Sequence, residues 1–176
     1  MARIIFIYGA IAGLVVITTM TLGIHFAGDQ GGSSQIVGYL IMLVALTLIF
    51  IGVKRHRDQS LGGIIKFLPA FLTGLAIAAV AGIFYVAGWE SYLALSDYSF
   101  AEQYAAGVLE KKKAAGVTGA ELERLTAEMA KMVEGYANPL IRIPITFLEI
   151  FPIGFVVSLV SAAILRNPKA FPKREI

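Results

Sequence analysis

A single acidic side chain, Glu149, interrupts the last long apolar segment of the sequence, about residues 140–165. Counting from Pro139 at about 1.5 Å per residue places it roughly 15 Å into a hydrocarbon core about 30 Å thick. A carboxylate there costs about 2.5–3.5 kcal/mol, so it should face other helices or a wet cavity. Pro152 lacks a backbone N–H, and the resulting break would bring carbonyl and carboxylate oxygens together for a cation or proton. A structural acid bonded to Tyr85 or a threonine is the other interpretation, and both stay open.

Glu90 and Arg142 form a second constellation of possible functional groups. Counting along the third and fourth apolar segments puts both side chains near the same membrane boundary. We predict an ion pair between them that clamps two helices and is structural in role. The alternative is that Arg142 extends alone to lipid headgroups.

A cluster of cations follows the second apolar segment: Lys54, Arg55 and Arg57, with His56 among them. Together with the basic tail at residues 166–176, it would attract anionic headgroups by about 1 kcal/mol per cation. The simpler interpretation is an ordinary signal of membrane topology. Since cations surround it, His56 is a poor candidate for a base.

No catalytic signature accompanies these groups. The sequence contains no cysteine, no HExxH, no phosphate-binding loop, no dinucleotide fingerprint and no G-x-S-x-G. His25 is a lone histidine for which metal binding is not expected. We therefore expect no cofactor, no metal and no enzymatic activity. Nucleic acid is not expected as a partner either, because no basic face carries interleaved aromatic residues.

The elements that position these residues are long apolar runs. The chain of 176 residues is 57% hydrophobic and 15% charged, against about 25% charged in soluble domains. Runs of 18 or more apolar residues predict membrane spans. A cleaved signal peptide is disfavoured because the first run exceeds the usual apolar length. The predicted spans are about 4–27, 36–53, 64–95 and 140–165, with a charged loop at Lys54–Asp58 and a break at Gly62-Gly63.

Residues 97–138 are polar and helical in pattern. Capping boxes starting at Ser99 and Thr118 predict two helices, and Gly116 lies where the first would end. The second helix carries an apolar stripe at near-heptad spacing. We predict an extracytoplasmic helical hairpin between the third and fourth transmembrane helices of an all-α, polytopic membrane protein. The stripe consists of Leu122, Leu125, Met129, Met132 and Tyr136.

Small residues recur every four positions in two spans. Such rows let helices approach closely in a membrane. We favour packing within the chain over a dedicated dimer face. The rows are Gly9 and Gly13 in the first span and Ala70, Gly74, Ala78 and Gly82 in the third.

The distribution of cations predicts the orientation. Arg3, the Lys54–Arg57 cluster, Lys66 and the Arg166–Arg174 tail fall on one side of four spans, and the cation-free loop Gly28–Gln35 falls on the other. Both termini are therefore expected in the cytoplasm. Lys111–Lys113 of the hairpin are a mild conflict, weakened by their distance of more than ten residues from either span.

Several blocks of sequence resemble the bacterial membrane proteins grouped as domain of unknown function 4199. The resemblance rests on IFIGVKRHRDQSLGG, on the following GGIIKF stretch and on NPLIRIPITFLEIFPIGFVVSLVSAAILR. It extends from Ile4 to Arg166 and is most specific at the Lys54–Asp58 segment and at Phe147–Gly154. It implies a multi-span protein of the bacterial inner membrane and no established chemistry.

Two classes of function remain. The first is a non-enzymatic membrane protein with an assembly or partner-binding role, as a homo-oligomer or with another membrane protein. Its helical hairpin and its bundle would serve this role, and the stripe of the hairpin would contact either another protein or the bundle of the same chain. The second is an oligomeric ion or proton transporter or channel component that uses Glu149. An enzyme acting on lipids or the envelope has no positive support.

Overall fold

The computed structural model describes residues 1–27 and 34–172, which form six α-helices and contain no β-strand. Most of the predicted loop Gly28–Gln35 and the last four residues of the basic tail lie outside this part of the chain. The all-helical prediction is confirmed. The helices are α1 (Ala2–Ala27), α2 (Ser34–Ser60), α3 (Phe67–Leu95), α4 (Phe100–Ala114), α5 (Gly119–Ala137) and α6 (Pro139–Leu165).

Four of these helices, α1, α2, α3 and α6, are long and apolar enough to cross a membrane. Their most apolar stretches have mean hydropathies between 2.2 and 2.8, yet only 28–39% of each stretch is buried inside the protein. Large apolar side chains such as Val44 and Leu148 are 69% and 60% exposed. An apolar exterior of this extent needs a hydrocarbon solvent. The helices thus indicate a multi-pass membrane protein.

The Lys54–Asp58 segment, predicted as a loop, is instead the end of α2. Lys54 forms an ion pair with Asp58 one turn later, a spacing that supports helix. The chain leaves the helix at Gly62 and Gly63, whose φ angles of +66° and +94° favour glycine. The apolar run ends at Lys54, but the helix does not, because no helix-breaking residue occurs until the two glycines.

The predicted interruption of the last span is also wrong. α6 is continuous from Pro139 to Leu165 through Pro144 and Pro152. Each internal proline removes one backbone donor, but the residues around it can continue the helical bonding in an apolar environment. The third span differs in its start, since α3 begins at Phe67 rather than near residue 64.

The chain divides into two compact units. The first unit comprises residues 1–88 and the chain from Phe147 onward. In it, α1 approaches α3 closely at Gly9 and Gly13. A β-carbon at Gly9 would lie 2.6 Å from Cβ of Val80, and one at Gly13 would collide with the carbonyl oxygen of Ala81. Both glycines are therefore required by the spacing of these helices.

The small residues of α3 also lie at contacts between helices of this chain. A β-carbon at Gly74 would be 2.9 Å from Cβ of Ser158, and one at Gly82 would be 2.5 Å from the ring of Phe147. Ala78 faces Gly154, where an added β-carbon would lie 2.7 Å away. Three members of the α3 row thus pack against α6, and the fourth, Ala70, is fully buried. The row consists of Ala70, Gly74, Ala78 and Gly82.

The second unit, Trp89–Thr146, contains α4 and α5, which contact each other. Ser99 and Thr118 precede these helices as predicted, but neither side chain makes a capping hydrogen bond. The hydroxyl of Ser99 instead donates to the carbonyl of Ser96 at 2.7 Å. The turn between the helices contains Gly116 with a φ of +86°, so its predicted place at the end of the first helix is confirmed.

Candidate functional site

Glu149 lies in the first unit beside a buried tyrosine of α3. The hydroxyl of Tyr85 donates to Oε2 of Glu149 at 3.0 Å and lies 3.1 Å from the sulfur of Met20. Tyr85 is fully buried, whereas Glu149 is half-buried. The bond proposed for the structural interpretation is therefore present. The packing of α1, α3 and α6 brings together a carboxyl group, a phenol and a thioether.

Pro152 does not contribute the predicted ion site, because α6 remains helical there. Its side chain is exposed. The carbonyl and carboxylate oxygens were expected to meet at a broken helix, and that break is missing. Among residues 1–27 and 34–172, no three histidine or acidic side chains are grouped so that they could hold a metal ion.

Glu90 and Arg142 form the predicted ion pair, in the second unit. Nε and Nη2 of Arg142 donate to the two carboxylate oxygens of Glu90, each at 2.7 Å. Nη1 donates to the carbonyl of Tyr136 at 2.8 Å, at the end of α5. The Arg142 side chain is only 4% exposed and that of Glu90 24%. This bidentate pair joins α3 to α6 and also ties down α5.

Aromatic side chains surround this pair. The guanidinium carbon of Arg142 lies 5.2 Å from the ring centroid of Tyr98 and 5.8 Å from that of Tyr136. The indole N–H of Trp89 donates to the Tyr136 hydroxyl at 2.6 Å, and the Trp89 ring packs edge-on against Phe100 at 4.9 Å. The ends of four helices are thus fixed together within the second unit. All three guanidinium nitrogens of Arg142 donate hydrogen bonds in this arrangement.

Arg57 is not the lipid-contacting residue that the sequence predicts. Its side chain is fully buried. Nη1 donates to the carbonyls of Leu165 at 3.4 Å and Ala170 at 2.9 Å, Nη2 donates to that of Phe171, and Nε donates to Asp58 at 2.7 Å. Arg57 therefore binds the segment after α6 to the end of α2. A guanidinium engaged in this way is unavailable to headgroups.

The burial of Arg57 has a signal in the sequence. It continues a row of fully buried residues on one side of α2 (Leu46, Ile49 and Val53) at spacings of three and four. A residue that continues a core-facing row is expected to be buried, whatever its charge. Lys54 is partly exposed and paired with Asp58, whereas Arg55 is exposed. Of the three predicted lipid contacts, Arg55 is the one whose side chain is both exposed and without an acidic partner among the described residues.

The apolar stripe of α5 is the remaining candidate surface. No residue of α5 is buried, and its five stripe residues are half-buried in a helix that contacts α4. Most of the other residues of α5 are exposed, and six of them are charged. An apolar stripe that is covered only in part can still take up a partner.

These features define a class: a membrane protein of several apolar helices with a smaller, polar two-helix insertion. The family described as "Protein of unknown function (DUF4199)" matches residues 7–167, and the chain belongs to that family. Comparison with curated proteins and with solved structures gave no match.

Proposed function

We propose that this protein is a non-enzymatic, multi-pass protein of the bacterial inner membrane that binds another protein through its α4–α5 insertion. The single observation that carries the proposal is the half-covered apolar stripe of α5, a helix that has no buried residue, whereas its neighbour α4 buries Ala101 and Ala105. A helix with one apolar face needs a surface to cover it. The partner is another membrane protein or a second copy of this chain.

The base of the insertion supports this role. Within the second unit, the bidentate bond of Arg142 to Glu90 and the Trp89–Tyr136 hydrogen bond hold the end of α5 against the last part of α3 and the first part of α6. Rigid presentation lowers the entropy that is lost when a partner binds. The structural clamp therefore serves the stripe by holding its helix in place.

The proposed topology has four transmembrane helices with α4 and α5 outside the cytoplasm. The positive-inside rule supports it, because Arg3 and the cations at the end of α2 and after α6 then face the cytoplasm. Both termini are cytoplasmic in this arrangement. The partner would meet the insertion on the extracytoplasmic side.

Introduced cysteines test both parts of the proposal, since the chain has none of its own. Met129→Cys places a thiol in the stripe, and Ala127→Cys places one on the exposed side of the same helix. A membrane-impermeant maleimide should label Ala127→Cys in intact spheroplasts. It should label Met129→Cys much more slowly in native membranes than in purified protein, because the partner covers the stripe.

Ala127→Cys is the matched control for the chemistry of the reagent and for helix stability. Its labelling rate in membranes, divided by its rate in detergent, should be close to the same ratio measured for a free thiol reagent. Equal ratios at the two positions would remove the partner from the proposal. Labelling of Ala127→Cys only after the membrane is opened would reverse the proposed topology.

A second candidate is proton or cation transport by an oligomer, favoured by one observation. Glu149 is a half-buried carboxyl group in the middle of a candidate span, where ionisable groups are costly. Its bond to Tyr85 accounts for one oxygen. The fully buried Tyr85 that donates to Glu149 is the partner expected of a packing acid, so the partner-binding function is the better supported.

A further inference from the structure

A cavity of about 200 Å³ opens between the start of α1 and the end of α2 in the first unit. The two helices contact each other directly. Both the start of α1 and the end of α2 are the ends of candidate spans, so the cavity lies where a membrane boundary would be. Its lining consists of Arg3, Ile4, Ile7, Tyr8, Arg55 and Gln59.

The two arginines of this cavity, Arg3 and Arg55, have no acidic partner among residues 1–27 and 34–172. The neighbouring carboxylate, that of Asp58, is bound by Lys54 and Arg57 instead. Two guanidinium groups at one cavity are a strong attraction for an anion, above all for a phosphate.

The other polar groups of the cavity favour the same ligand. Nη1 of Arg55 donates to the Tyr8 hydroxyl at 3.2 Å, and Nε donates to the amide oxygen of Gln59 at 3.3 Å. These bonds use acceptor atoms, so the hydroxyl proton of Tyr8 and the amide protons of Gln59 remain available. The cavity therefore offers hydrogen-bond donors from all four polar side chains.

An apolar hollow of about 350 Å³ lies further along the same two helices. Val15 of α1 and Val44 of α2 contribute to it, and its lining is almost wholly apolar. Val44 precedes Arg55 by eleven residues, which is roughly 16 Å of helix. That length is close to the hydrocarbon depth of one leaflet, about half of 30 Å. The exposed side chain of Ile11 lies on α1 between the two hollows.

We propose that the α1–α2 face binds one anionic phospholipid, with the phosphate held by Arg3, Arg55 and Tyr8 and an acyl chain lying along the helices to Val44. The charged cavity supplies the headgroup site, and the apolar hollow supplies the chain site. The lipid site and the α5 stripe consist of different residues. Lipid binding can therefore be shown or disproved without any result on partner binding.

Lipid titration of the full-length protein in detergent, followed by native mass spectrometry, tests the site. Phosphatidylglycerol should remain bound, phosphatidylcholine should bind more weakly, and inorganic phosphate alone should not be retained. Arg3→Gln with Arg55→Gln should lower the affinity for phosphatidylglycerol by about fivefold per guanidinium removed. Tyr8→Phe, which changes no charge, should give a smaller loss.

Arg124→Gln is the matched control, because it removes a 70% exposed arginine of α5 far along the chain from the cavity. If Arg124→Gln lowers the affinity for phosphatidylglycerol as much as each cavity arginine does, the lipid is attracted by the overall charge of the protein and the proposed site is wrong. An unchanged affinity in the Arg3 and Arg55 double variant would also contradict the proposal.

Val44→Trp separates a lipid from a free phosphate. It fills the apolar hollow, so it should weaken phosphatidylglycerol binding while leaving the charged cavity intact. Retention of inorganic phosphate as tight as that of the lipid, with no effect of Val44→Trp, would identify a free anion as the ligand and contradict the proposal.

Discussion

Two buried arginines perform similar tasks in the two units of this protein. Arg57 in the first unit and Arg142 in the second are 0% and 4% exposed. Each binds a carboxylate, and each donates to backbone carbonyls at the end of a helix, α6 for Arg57 and α5 for Arg142. Helix ends carry unpaired carbonyls and partial negative charge, which a guanidinium satisfies. Arginine is suited to this role because its five donors are arranged in a rigid plane.

The two arginines differ in where their carboxylate partner lies in the sequence and in whether that carboxylate has a second cation. Asp58 is the next residue after Arg57 and is shared with Lys54. Glu90 is 52 residues from Arg142 in sequence and is held by it at both oxygens. The loss of Arg57 therefore leaves a carboxylate that retains a cation, whereas the loss of Arg142 leaves one without its guanidinium. The free energy of unfolding that is lost when a buried arginine is removed should therefore depend on whether the remaining carboxylate still has a cation beside it.

The largest effect is expected for Arg142→Met. Removal of one partner from a buried ion pair costs about 3–5 kcal/mol, since the remaining charge is left uncompensated. The carbonyl of Tyr136 also loses its donor. Thermal unfolding in detergent should be measured by the fluorescence of Trp89, which is the only tryptophan and lies in the same unit.

The double variant Arg142→Met with Glu90→Leu sharpens this test. It removes the charge that the single variant leaves behind, so it should recover part of the lost stability. Arg124→Met, an exposed change, should cost less than about 1 kcal/mol. A double variant no more stable than the single one would contradict the explanation by uncompensated charge.

A smaller effect is expected for Arg57→Met, because Asp58 keeps Lys54. The loss of hydrogen bonds from a charged group costs about 1.5–3 kcal/mol. The segment after α6 should open, and a thiol at Ala170→Cys should react faster with maleimide in this background. Arg166→Met removes a nearby exposed cation as the control. A loss of stability as large as that of Arg142→Met would contradict the comparison between the two carboxylates.

The sequence predicts one arginine cluster and not the other, for a physical reason. Glu90 and Arg142 stand out as charges at the ends of long apolar runs, and helical rise places both at one boundary. Arg57 lies among other cations, where the topology signal explains its charge. Its partners are backbone carbonyls of Ala170 and Phe171, which have no signature in the side-chain pattern.

The same reasoning explains which elements were predicted correctly. The apolar runs predict the long helices well, because the thickness of the bilayer sets the length of a span. The Gly62-Gly63 pair predicts the end of α2 well, because glycine adopts positive φ angles readily. The prolines of α6 misled the prediction, since a helix surrounded by apolar groups tolerates a missing donor. The Arg55–Tyr8 hydrogen bond could not be predicted in this way, because it joins residues 47 apart and depends on how α1 packs on α2.

The smallest effect is expected at Glu149, which accepts its hydrogen bond from the phenol of Tyr85 rather than from an arginine. Tyr85→Phe keeps the ring and removes the hydroxyl, so it should cost about 0.5–1.5 kcal/mol, the net contribution of one ordinary hydrogen bond. Glu149→Gln should cost less, because the amide oxygen still accepts from Tyr85. Both variants should be compared by helix unfolding in detergent. If Glu149→Gln folds normally but abolishes a proton or cation flux that the unmodified protein supports in liposomes, the carboxyl group has a transport function. An unchanged flux, or no flux in either protein, leaves Glu149 as a packing residue whose bond to Tyr85 is a weaker counterpart of the two arginine clusters.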